Sequence, residues 1–182
     1  MISEFKDEHR WLSNFVPCKI FYEGRSFNSV ENGYMSAKSH DVEWKEFCSD
    51  PNNHPGRVKR KSKKIVLRSD WESIKISVMN ELLIQKFFQS PYRNLLINTG
   101  DMHIEEGNRW GDTFWGVCLK TNTGSNNLGI LLMEIRKDLL WEKSLPFYRR
   151  WGRRGKRFVA RWSNLLTHGF TMGFIKKMTI AR

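Results

Sequence analysis

The chain has 182 residues, 40% hydrophobic and 13% aromatic, which excludes a disordered polypeptide and fits one domain with an appendage. No apolar run reaches membrane-spanning length, and the opening residues Met1 to Arg10 mix charged and apolar types unlike a signal peptide, so a cytoplasmic location is expected. The net charge of +12 is unevenly placed: Met1 to Glu142 holds 20 Lys and Arg against 19 Asp and Glu, whereas Lys143 to Arg182 holds 11 basic residues and no acid. Residues 1–142 are therefore expected to form the domain and residues 143–182 a basic extension.

In chain order, Ile2 to Phe5 predicts a short strand, and Lys19 to Tyr22 with Arg25 to Phe27 predicts a hairpin about Glu23-Gly24. Between them, Trp11-Leu12-Ser13-Asn14-Phe15 sets Ser13 and Asn14 among apolar neighbours. Buried, those two need partners, and a ligand is one candidate. Ser29 can then cap a helix in which Tyr34, Met35 and Lys38 follow Glu31 at offsets 3, 4 and 7. One face would present a carboxylate, a ring and an amine, with Glu31 in the first turn where the helix dipole favours its ionised form. An ordinary charged surface helix has the same spacing, so the pattern leaves both readings open.

Asp41 to Pro55 is polar and broken by two prolines, hence loop or short helix. Arg57 to Lys64 carries six Lys or Arg in eight positions and reads as a solvated loop or a phosphate-facing rim. Ser69-Asp70 caps a long helix from Trp71 to Phe88, whose core face is Trp71, Ile74, Val78, Met79, Leu82 and Leu83. Ser90-Pro91 starts a shorter helix through Leu96, with the proline in its first position, and Ile104 to Glu106 predicts a strand.

That strand leads into Asn108-Arg-Trp-Gly-Asp-Thr-Phe-Trp-Gly116, where two indoles, two glycines and one carboxylate fall close together. Trp110 and Trp115 offer stacking faces, Gly111 and Gly116 permit close backbone approach, and Asp112 supplies an acid. A ligand pocket and a strand-turn-strand with core tryptophans are both compatible with this composition. The Gly/Asn/Ser/Thr run Thr121 to Asn127 then opens into a helix bearing Leu128, Leu131, Leu132, Ile135 and Leu139, whose N-terminal N–H groups could hold an anion. The five histidines and three cysteines are scattered, and neither a metal site nor a cofactor is expected.

Together these stretches resemble the NADAR, or YbiA-like, family. The resemblance rests on Leu12-Ser13-Asn14-Phe15, Ser29-Val30-Glu31 with Lys38, Asp70-Trp71, Lys86-Phe87 and Thr99-Gly100. It continues through Trp110-Gly111-Asp112, Phe114-Trp115-Gly116, Gly124, Asn126, Leu128-Gly129 and Arg136, in order from about Phe5 to Trp141. It implies a compact, mainly helical α+β domain that hydrolyses the N-glycosidic bond between a ribose phosphate or ADP-ribose and a base-like nitrogen, without a metal. Members include N-glycosidases of early riboflavin intermediates and enzymes that remove ADP-ribose from guanine. By the same resemblance Glu31, Lys38 and Asp112 are the catalytic candidates. Ser13, Asn14, Trp110, Trp115, Gly116 and Asn126 are the substrate-binding candidates. Asn32 stands where many members have histidine, and Arg57 to Lys64 is more basic than the usual segment.

The expected partner is thus a ribosylated or ADP-ribosylated base. In the extension, Trp151, Phe158 and Trp162 interleave with the positive charges in a pattern suited to nucleic acid, to an anionic membrane surface, or to packing against the domain.

Overall fold

A computed structural model of the chain describes residues 1–144, so the expectations for Trp151, Phe158 and Trp162 lie outside the described residues. Packing divides the chain between Leu139 and Leu140, and the first of these units, Met1–Leu139, carries the candidate site. Among the described residues there are six α-helices and four strands, none of the strands longer than three residues, which is the mainly helical α+β class expected.

At the N-terminus the expected strand reduces to one parallel bridge between Ile2 and Ile104, followed by a 3-10 helix over Asp7–Leu12. The hairpin forms as read: β1 (Ile20–Tyr22) pairs antiparallel with β2 (Arg25–Phe27), Ile20 opposite Phe27. Helix α1 (Val30–Ala37) starts where the Ser29 hydroxyl accepts the Asn32 N–H, a cap typically worth about 1 kcal/mol. All eight of its residues are buried, because α2 (Val42–Ser49), α3 (Pro55–Lys61), α4 (Trp71–Phe87) and the hairpin pack around it. Gly33 makes that crowding possible: a methyl group there would meet Leu82 of α4 at 3.2 Å and Ile20 of β1 at 3.3 Å.

The basic block is helical. Expected as a loop or rim, Arg57 to Lys64 instead forms most of α3 and a 3-10 turn, Ser62–Lys64. The physical reason is local: His54 Nδ1 accepts the Gly56 N–H, Pro55 sits in the first turn, Lys and Arg are good helix formers, and Val58 provides a buried anchor. Asp41 likewise caps α2 through the N–H groups of Glu43 and Trp44. Helix α5 (Tyr92–Asn98) has Pro91 just before it rather than in its first turn.

Strands β3 (Gly107–Asn108) and β4 (Val117–Cys118) pair in parallel, Gly107 opposite Val117. A tight turn cannot join parallel neighbours. The strand-turn-strand alternative is thereby replaced by a loop, residues 109–116, that leaves the pair and re-enters it in the same direction. Helix α6 (Asn127–Ser144) follows, burying Leu128, Leu132, Ile135 and Leu139 as its periodicity predicts.

Candidate active site

Glu31 lies in the first turn of α1 and is only 4% exposed, an uncommon place for a carboxylate. Its N–H donates to the Asn14 carbonyl at 3.0 Å, so the Leu12 to Asn14 segment docks on the helix start. Its Oε1 is buried without a hydrogen bond, and the nearest cation is Lys59 Nζ of α3 at 3.4 Å. Burial pushes the Glu31 pKa up, and the Lys59 ammonium is the main influence pulling it back, with Lys38 adding to it and Asp112 opposing.

Lys38, at the C-terminal end of α1, returns to the same neighbourhood as its spacing predicts. Its ammonium sits 5.4 Å from the Tyr34 ring centroid and 5.8 Å from that of Trp71. Desolvation holds its pKa below the usual lysine range, and the Glu31 charge partly restores it. Tyr34 also meets Trp115 edge-on at 5.6 Å, which ties α1 to the 109–116 loop.

In that loop, Asp112 Oδ1 accepts the N–H groups of Phe114 and Trp115 at 3.1 and 2.9 Å, while Asn108 holds the Asp112 main chain from both sides. Asp112 is thus positioned by its own turn, within electrostatic range of Glu31. Trp115 is half-buried against Tyr34 and Phe114, whereas Trp110 stands 69% exposed.

The remaining candidates have structural partners. Ser13 Oγ accepts the Phe15 N–H and its carbonyl accepts from Lys86 Nζ at 2.7 Å. Asn14 donates to Met79 Sδ, leaving its Oδ1 buried and unpartnered. Asn126 spends its amide on main chain, accepting from Glu106 N–H and donating to the Ile104 carbonyl. Gly116 is buried where a methyl group would strike the Glu106 carbonyl and carboxylate. The anion site suggested for the start of α6 does not form, because the N–H groups of Asn127 and Leu128 are taken by the carbonyls of Phe114 and Trp115.

Residues 2–140 match the NADAR domain. The chain belongs to the NADAR family. It is 33% identical over 145 residues to the N-glycosidase YbiA of Escherichia coli K12, a match covering 75% of this chain and 86% of that protein. A riboflavin biosynthesis protein of Vibrio vulnificus is 32% identical over 136 residues, but this chain spans just 36% of its length. The NMR structure of the Escherichia coli protein YbiA has a TM-score of 0.67 at 29% identity, covering 79% of this chain and 89% of that one.

Two charged groups at the centre of this NADAR domain escape the sequence reading. Lys59 is one of six like charges in eight positions, and its approach to Glu31 depends on α3 docking across α1. Glu106 follows another glutamate at a strand end, and its surroundings come from Asn108, Gly116 and Asn126. The one local signal was Val58, whose spacing within the basic block marks an inward face and places Lys59 beside it.

Proposed function

We propose that the chain is an N-glycosidase that releases a ribose phosphate from a base-like nitrogen, with Glu31 as its general acid–base group and Lys38 and Asp112 acting beside it. The observation that carries this is a buried carboxylate held 3.4 Å from one ammonium and within the field of a second. Cleavage of the C1–N bond sends its electron pair to the nitrogen, which takes up a proton, and positive charge develops at C1. An ionised Glu31 stabilises that charge and accepts a proton from the water that adds to C1. Asp112 orients sugar hydroxyls, and Trp115 provides an apolar wall. Lys38 supports a second route, in which its neutral amine adds to C1 of the opened sugar, the base-like amine leaves with the C1–N electron pair and a proton, and water hydrolyses the lysine imine that remains. The desolvation that lowers its pKa favours that neutral amine.

The relatives named above support a ribosylaminopyrimidine phosphate as substrate. The 11 positive charges of residues 143–182 favour a second reading, ADP-ribosylated guanine in nucleic acid, with those residues as a separate module that contacts the phosphate backbone. Incubating the protein with each compound and measuring sugar release separates the two. Borohydride during turnover should label wild type but not Lys38→Ala if the imine forms. Release from neither compound would leave a nucleotide-binding module without catalysis. Truncation after Glu142 should lower the salt slope of nucleic-acid binding while sparing hydrolysis of the small substrate.

A further inference from the structure

We propose that Glu106 is a further catalytic residue, the carboxylic acid that hands its proton to the departing nitrogen. This rests on the N-glycosidase reading and divides its acid–base work, with Glu31 as the base toward water and Glu106 as the acid toward the nitrogen. Three carboxyl groups share this part of the fold, and their charges are compensated unequally. Asp112 accepts two N–H groups through Oδ1. Glu31 has the Lys59 ammonium at 3.4 Å. Glu106 Oε2 is buried without a well-formed hydrogen bond, and among the described residues no cation is paired with it: the Asn108 amide is the neutral side chain that acts on this carboxyl.

The groups that act on Glu106 come from four elements: Asp112 in the 109–116 loop, Lys59 in α3, Glu31 in α1 and Asn108 in β3. Two of these four are acids, and both oppose a third negative charge. When coupled carboxyls share one cation, the proton settles on the member farthest from compensation. Lys59 lies 3.4 Å from Glu31, so the negative charge is favoured there and the shared proton is favoured on Glu106. Burial and the Asp112 charge raise the Glu106 pKa to about 7, which agrees with this assignment.

The main chain of Glu106 is also fixed in place. Its N–H is held by Asn126 Oδ1 at 3.1 Å, and its carbonyl by the Val117 N–H at 3.0 Å. Gly116 leaves no room for a side chain of its own against the same carboxyl group. Glu106 is thereby clamped on the main chain and left free at the one atom that chemistry needs.

The step balances. As the C1–N bond breaks, its electron pair goes to the nitrogen, which receives the Glu106 proton. Glu106 becomes a carboxylate, Glu31 takes the proton of the water that adds to C1, and return of that proton from Glu31 to Glu106 through solvent restores both groups. No oxidant or further reactant enters.

The test uses two substrates, a ribosylaminopyrimidine phosphate and 4-nitrophenyl riboside 5-phosphate, whose nitrophenolate departs without protonation. Glu106→Gln should lower kcat on the first by about 100-fold or more, and by at least tenfold less on the second. In wild type, turnover of the first should fall as pH rises through about 7, and turnover of the second should lack that limb. The wild-type pair of profiles needs no variant and stands even if Glu106→Gln folds poorly. Equal losses on both substrates, or an alkaline limb shared by both, would overturn the proton-donor role while leaving the glycosidase reading intact. A wild type inactive on both substrates and on ADP-ribosylated guanine would overturn the two together.

Discussion

Helix α1 and the 109–116 loop each bring an acid to the same place, and they stabilise its charge by opposite means. Around Asp112 the two N–H donors lie two and three residues further along the same loop, so its hydrogen bonding is a local property of one turn. Glu31 has no such donors for Oε1 and relies on Lys59, 28 positions away in another helix. Its charge therefore depends on tertiary packing, and a small change in that packing can move its pKa. The loop supplies a fixed charge and the helix a tunable one, the division expected of a site that must both hold a sugar and exchange a proton.

The largest effect tests the tunable partner. Glu31→Gln should reduce kcat by about 100-fold or more and leave the melting temperature within a few degrees of wild type. Removing the acid leaves Lys59, which is 50% exposed and can be hydrated, so no buried charge is stranded. Turnover within threefold of wild type would remove Glu31 from the mechanism and reduce the comparison to packing.

Lys59→Met is the reverse experiment, stranding a nearly fully buried acid. Without the ammonium the Glu31 pKa rises further, so the acid limb of the kcat profile should move to higher pH. The stability consequence has a definite sign. Glu31 titrates above its unfolded value, so its contribution is present below that value and is lost as pH rises through the folded one. In Lys59→Met the loss should extend to higher pH, which denaturant melts at pH 5 and pH 8 will show. An unmoved acid limb would mean that Lys59 does not compensate Glu31.

The sequence shows α1 and hides α3 for the same physical reason. Glu31, Tyr34 and Lys38 are neighbours along one helix, and helical spacing is a local property, as is the Ser29 cap. The approach of Lys59 to Glu31, and of Asn126 to Glu106, is made by docking of segments far apart in the chain, which no periodicity encodes. The anion site imagined at the start of α6 failed likewise, since its donors met carbonyls of the tryptophan loop. Family resemblance supplied Asp112, whose turn is visible locally, but nothing short-range distinguishes Glu106 from Glu105.

A pair of substitutions at Asp112 isolates the fixed charge from the turn that holds it. Asp112→Asn keeps an oxygen that can accept from Phe114 and Trp115, so stability should stay within about 0.5 kcal/mol while kcat falls about tenfold. Asp112→Ala removes the acceptor too and should cost about 1–2 kcal/mol in addition. Since the Asp112 charge raises the pKa of both Glu31 and Glu106, either variant should also shift their titrations to lower pH. Identical stability of the two variants would show that the side-chain turn does not organise the loop.

The smallest effect belongs to Trp110. Trp115 packs against Tyr34 and Phe114, so its loss would confound stability with binding. Trp110 is 69% exposed, and Trp110→Ala should change stability by no more than about 0.5 kcal/mol. If its indole stacks on the base of the substrate, KM should rise about tenfold, a loss of ~1–1.5 kcal/mol of binding, with kcat nearly unchanged. That split matters because a residue outside the reacting centre contributes equally to ground state and transition state. A KM within twofold of wild type would confine the site to the buried side of the loop, where Trp115 packs on Tyr34 and Asp112 lies in the field of Glu31, and leave Trp110 as ordinary surface.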